Sequence, residues 1–146
     1  MIRFTILGEP ASKANSRQIV TLNGHASSIK SKKARSYEAA ALMQIPPLAR
    51  VRLDGPVSVT LRIFYATERP DLDESIVLDV LQDRFGKTPK GPNGETLGPR
   101  PLVQHGVYRN DRQVRAKHVF HGIDRRNPRC EVLIEPMQAQ QQEIAA

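Results

Sequence analysis

Asp71 and Asp73 are the residues of this chain best suited to chemistry by type and spacing. One residue apart, they stand where a strand pattern gives way to a helix pattern, so both project from one junction of two elements. Carboxylate oxygen is what hard cations such as Mg2+ prefer, and such an ion takes one or two protein carboxylates while leaving positions for water and phosphate. Two close aspartates and a third acid from another element would suffice. A metal so held can activate a water and neutralise charge developing on a phosphate, which is the chemistry of phosphodiester hydrolysis. The same residues also have a plain structural reading. Asp71 followed three residues later by Glu74 matches a capping box, and acids in a first helical turn favour the helix dipole. Asn110-Asp111 is good turn chemistry before a strand. Spacing alone leaves both readings open.

The elements that must position these acids follow from periodicity. Ile2, Phe4 and Ile6 alternate with Arg3 and Thr5 as a half-buried strand, closed by Gly8-Glu9-Pro10. Residues 11–33 are polar and without a sustained period, and they read as a basic loop. Ser36 is a candidate cap for a helix bearing Tyr37, Ala40, Ala41 and Ile45, stopped by Pro46-Pro47. Val57, Val59, Leu61, Ile63 and Tyr65 alternate with polar residues in the clearest strand pattern of the chain. A helix is predicted from Pro70 or Asp71, with Leu72, Ile76, Val77, Val80, Leu81 and Phe85 as its apolar stripe and Gly86 at its end. Residues 86–106 are dense in Gly, Pro and Lys and longer than a usual connection, which predicts a binding loop or local disorder. Val114 to Phe120 and Cys130 to Ile134 read as two strands, with the turn composition of Asp124 to Pro128 allowing an antiparallel hairpin. The expected fold class is α+β, a single domain over residues 1–137 with a mixed sheet covered by helices, and the Gln-rich residues 138–146 as a disordered tail.

The chain has 146 residues, enough for one core, and 22 Lys and Arg against 15 Asp and Glu give a formal charge of +7. That balance favours polyanionic partners, nucleic acid first among them. Lys13, Arg17, Lys30, Lys32, Lys33 and Arg35 could form one wall of a DNA groove, with Arg112, Arg115 and Lys117 forming another, and Arg69 could contact a phosphate beside Asp71. Any one of these is more often a solvated charge. Cys130, the single cysteine, can close no internal disulfide and fits a reducing cytoplasm. There is no apolar run of membrane-spanning length and no secretory pattern, so neither a membrane nor export is expected. His118 and His121 have the spacing of a metal pair only on a helix, whereas their surroundings alternate as a strand, so zinc is not expected.

Three segments in order carry a family resemblance: Arg69-Pro70-Asp71-Leu72-Asp73, then Asp79-Val80-Leu81, then Asn110-Asp111-Arg112-Gln113-Val114. With the basic Gly8-Glu9-Pro10-Ala11-Ser12-Lys13-Ala14-Asn15-Ser16-Arg17, this arrangement resembles the RusA family of Holliday-junction resolvases over nearly the whole chain. The resemblance implies a homodimer that binds four-way DNA junctions in recombination and repair and makes paired nicks with Mg2+ or Mn2+. It implies Asp71, Asp73 and Asp111 as the metal-binding, catalytic acids. The chain departs from the family pattern with Glu74 for an asparagine, Val77 where a functional lysine is usual, and Asn110 for a frequent acid. Either another base, such as Lys13 or Lys117, supplies the missing charge, or the activity is altered. The competing expectation is a non-catalytic basic DNA-binding module in which the acids cap and turn, and a third is an RNA-associated protein.

Overall fold

The computed structural model describes residues 1–138. In chain order the elements are β1 (Ile2–Leu7), β2 (Arg17–Leu22), β3 (His25–Lys30), α1 (Lys32–Gln44), β4 (Val57–Tyr65), α2 (Ser75–Val80), β5 (Arg84–Phe85), β6 (Leu102–Gln104), β7 (Val114–Ile123) and β8 (Arg129–Pro136). The main sheet has the order β1-β8-β4-β7. β8 runs antiparallel to both β1 and β4, and β7 runs parallel to β4, so the sheet is mixed. The fold is the α+β domain expected.

β4 positions everything else. Its odd residues Val57, Val59, Leu61, Ile63 and Tyr65 are wholly buried, while the even ones are only partly covered. Facing residues of β8, Cys130, Val132 and Ile134, are buried with them, and Ile6 of β1 extends the same layer. α1 packs on α2 and β1 and lays Ala34, Tyr37 and Ala41 on this face, and α2 adds Ile76, Val77, Leu78 and Val80. Gln44, at the end of α1, clasps the backbone of Leu7 through both amide atoms, at 2.7 and 3.0 Å.

Several sequence expectations are corrected. Residues 11–33 are not a loop: β2 and β3 form a ribbon closed by Asn23-Gly24, both at positive φ, 51° and 80°. A two-residue turn of that kind matches the twist of paired strands, and the Asn-Gly dipeptide was its readable signal. α1 starts five residues earlier than a cap at Ser36 predicts, because Ser31 accepts the Ala34 amide and caps it. α2 spans six residues and not sixteen. Its carbonyl at Leu81 accepts the Val107 amide at 2.7 Å, so tertiary pairing replaces the next helical turn, and Phe85 lies exposed in a short strand paired with β6. Gly86 therefore caps no helix. Residues 86–106 form an ordered excursion pinned by the β5–β6 pair and by a Lys90–Thr96 bridge. β7 and β8 are not a hairpin, since β4 lies between them. The tail predicted from Gln138 falls on residues 139–146, which lie outside the described residues. No helix among the described residues is long and apolar enough to cross a membrane.

Candidate acidic pocket and basic rim

Asp71 and Asp73 lie in the irregular segment between β4 and α2. The Tyr65 hydroxyl, at the end of β4, fixes this segment by donating to the Asp71 carbonyl at 3.2 Å and accepting the Asp73 amide at 3.3 Å. The Asp73 carboxylate accepts the Ser75 amide at 3.0 Å and the Ser75 hydroxyl at 2.8 Å. Asp73 thus closes the turn into α2 from one residue ahead of its N-cap, Glu74, which makes no side-chain cap bond, so the Asp71–Glu74 capping box does not form. Glu74 instead binds Lys117 of β7 at 2.6 Å. That bond holds the Glu74 carboxyl below the usual glutamate range against the opposing effect of burial, and Lys13 adds a smaller pull. Glu74 and Lys117 therefore spend much of their charge on each other.

Asp111 is exposed on a short 3-10 turn ahead of β7. Asn110 caps that turn by accepting the Arg112 amide at 2.9 Å, and the Gln113 side chain accepts the Asn110 amide at 2.9 Å, so the turn chemistry is fully used. The turn is tied to α2 by Gln82. Its side-chain oxygen accepts the Asp111 amide at 3.0 Å, and its amide nitrogen donates to the Asp79 carboxylate at 2.8 Å. An open cavity of about 270 Å3 lies here, lined by Ser16, Arg17, Lys30, Ser75, Asp79 and Asp111. A larger groove, about 470 Å3, crosses the helix-free face of the sheet past Arg3, Thr60, Arg62 and Glu131, but it holds neither acid pair nor helix terminus. The smaller cavity is the one lined by two acids, Asp79 and Asp111, together with Arg17 and Lys30.

Lys30 supplies the positive side of the pocket. Its ammonium lies 3.4 Å from the Asp79 carboxylate and 2.5 Å from Glu38, and Glu38 also binds Arg84 at 2.6 Å. Burial pushes the Glu38 carboxyl up, but the bonds from Lys30 and Arg84 outweigh it and hold it below the ordinary range. Beneath the pocket the Tyr108 hydroxyl donates to the Leu78 carbonyl at 2.6 Å; burial, then the negative charge of Asp111 and Asp79, strongly disfavours its ionisation.

The structure joins some expected site residues and separates others. Asp111 reaches the pocket; Asp73 reaches its rim through Ser75; Asp71 is exposed beyond it. Among the described residues no group of three or more His, Cys, Asp or Glu side chains is arranged to hold a metal ion, so the three acids form no ready-made cage. Two carboxylates at one open pocket nevertheless suit a hard cation that keeps most of its waters. Of the basic residues, Arg17 and Lys30 line the pocket, Lys13, Lys32 and Arg69 are exposed nearby in sequence, Lys33 binds Glu9 at 3.3 Å, and Arg112 bonds its own Asn110. His118 and His121 are three apart on β7 and face opposite sides, His121 stacking on Tyr65 at 5.1 Å. Sequence reasoning missed Asp79 and Gln82 as site residues. Asp79 was visible as part of the Asp79-Val80-Leu81 segment of the resemblance but was given no role there, and Gln82 had no signal.

Neither the family models nor the curated proteins searched contain a match to this chain.

Proposed function

We propose that this protein is a divalent-metal-dependent endodeoxyribonuclease of the RusA kind, acting as a homodimer on four-way and other branched DNA in recombination and repair. The observation that carries the reading is the pocket in which Asp111, from one element, meets Asp79, from another, under a rim of Arg17 and Lys30. Acids with only capping roles have no reason to converge across elements, and basic residues at the rim attract phosphates. When bound, Mg2+ or Mn2+ supplies the activated water and the charge neutralisation that phosphodiester cleavage needs. Asp111 and Asp79 would hold it, with Asp73 and Asp71 at the α2 end. The remaining work falls to the chain: Arg17 and Lys30 orient the phosphate, Gln82 fixes the spacing of the two acids, and Tyr108 stays protonated beneath them. A homodimer places two such pockets about a two-fold axis, as paired nicks require. A reducing cytoplasm suits the buried thiol of Cys130.

A second reading, a non-catalytic basic DNA-binding module, is favoured by the turn that Asp73 closes with Ser75 and by the turn that Asn110 makes before Asp111. Purified protein incubated with synthetic four-way junctions and Mg2+ or Mn2+ separates the two. Symmetric nicks that disappear in Asp111→Asn support the nuclease. Binding with no cleavage in either metal would leave the DNA-binding module.

A further inference from the structure

We infer that the outward face of the β2–β3 ribbon is a docking track for a DNA strand, leading it into the Asp79–Asp111 pocket with Ile19 as the apolar contact. This rests on the DNA-processing reading above and adds to it the route of the substrate.

The register pairs Arg17 with Lys30, Ile19 with Ser28 and Thr21 with Ala26, so these six residues share one face of the ribbon. Five of them are exposed, and Lys30 is partly so. The opposite face holds Gln18, Val20, Ser27 and Ile29, all half-buried, so the ribbon has an inner and an outer side. The outer side is uncharged beyond its root, and Ile19 stands on it at 79% exposure. Burying an aliphatic side chain is favourable, and nothing within the described chain covers this one. Arg17 and Lys30, the pair at the root, are the two cations lining the pocket. The Arg17 guanidinium lies along the outer face, donating to the Ser28 hydroxyl at 3.3 Å and the Ser28 carbonyl at 2.8 Å. Track and pocket are thus one continuous surface.

Charge selects the occupant. From Pro10 to Tyr37 there is no Asp or Glu and there are six Lys and Arg; Lys33 and Lys30 pair with the flanking Glu9 and Glu38, and the positive excess that remains disfavours a cationic partner and favours a polyanion. A two-stranded ribbon fits the major groove, hydroxyls bind phosphate and sugar, and aliphatic side chains contact thymine methyl groups or wedge between bases. Ser28 and Ile19, opposite each other on the first same-face rung out from the root, and Thr21 on the next supply those contacts.

The test uses a fluorescent reporter. In an Ile19→Cys variant an environment-sensitive thiol dye labels position 19 alone, since Cys130 is wholly buried and its thiol is pushed up to about 12. Met43, 88% exposed on α1, gives the control as Met43→Cys. Addition of four-way junction DNA in EDTA is expected to shift the emission of the dye at 19 and not at 43. In parallel, Ile19→Glu should weaken junction binding roughly tenfold, whereas Met43→Glu, with the same charge change, should do so by less than about twofold. Equal losses at 19 and 43, or a silent dye at 19 while wild type binds, overturns the track and leaves the nuclease reading intact. Failure of wild type to bind any DNA overturns both.

Discussion

Gln82 holds Asp79 and Asp111 in register, donating to the carboxylate of the first at 2.8 Å and accepting the backbone amide of the second at 3.0 Å. A single neutral side chain thus sets the distance between two acids from different elements. Under the proposed function, Gln82→Ala should lower the rate of junction nicking by on the order of tenfold or more, as loss of residues that orient metal ligands does. Gel-shift affinity in EDTA should stay within about twofold of wild type, because the basic contacts are untouched. Equal loss of binding and nicking would place Gln82 in the DNA interface instead.

The Arg52–Asp83 pair anchors the crossover between β4 and β7. Asp83 is almost fully buried, takes Arg52 at 2.9 Å and accepts the Gly106 amide at 2.8 Å. Asp83→Ala leaves the Gly106 amide unpaired and turns the partly exposed Arg52 to water, so it should cost about 1–3 kcal/mol in urea unfolding. Gly106→Ala should also destabilise, since a Cβ there would meet the Gln82 carbonyl carbon at 2.3 Å. A loss below about 1 kcal/mol for Asp83→Ala would show that the pair is replaceable by water.

Tyr37 points its hydroxyl into the core without a hydrogen-bond partner. Burial raises its ionisation far above the ordinary tyrosine value, so the group stays a neutral, unsatisfied O–H. Tyr37→Phe removes only that oxygen and should leave stability unchanged or raise it by about 1 kcal/mol, read from the urea midpoint at constant slope. Destabilisation by more than about 1 kcal/mol would reveal a partner for the oxygen.

Glu38 gives the pocket a pH dependence. Its carboxyl is held below the ordinary value of 4.5, so its pairing stabilises the fold fully above that pH and is lost as pH falls through the lower folded value. Glu38→Gln should therefore be less stable than wild type near neutrality, and the gap should close in acid. Thermal melts across pH 3–7 (a range of roughly four units around the glutamate value) test this; a gap constant with pH would mean that shape, not charge, is what the carboxylate contributes.

β4 was legible in full because a period-two pattern of five apolar residues on a strand buried on one face has one reading. Pro46-Pro47 likewise fixed the end of α1. The ribbon was missed because Val20, Ser27 and Ile29 bury only partly, which blurs the alternation, and the Asn23-Gly24 signal was outweighed by the polar composition around it. α2 was overestimated because Leu81 and Phe85 continue the helical spacing, while the bond that stops the helix comes from Val107, remote in sequence. At the site, Asp111 was reached by resemblance and Asp73 by position. Asp79 joins them through Gln82, and contacts across elements leave no local periodicity to read.

The place of β8 in the sheet also orders assembly. β1, the first strand made, has β8 as its sheet partner, and β4 gains its antiparallel neighbour from the same strand. A chain emerging from the ribosome therefore carries β1 unpaired until residue 136 is out, and the core facing Ile6 and Val59 closes only then. Long-range pairing of this kind is slow to nucleate. The ribbon and α1, which border the pocket, and the excursion at 86–106 rest on contacts closer in sequence, whereas the sheet behind them is complete only when β8 slots between β1 and β4.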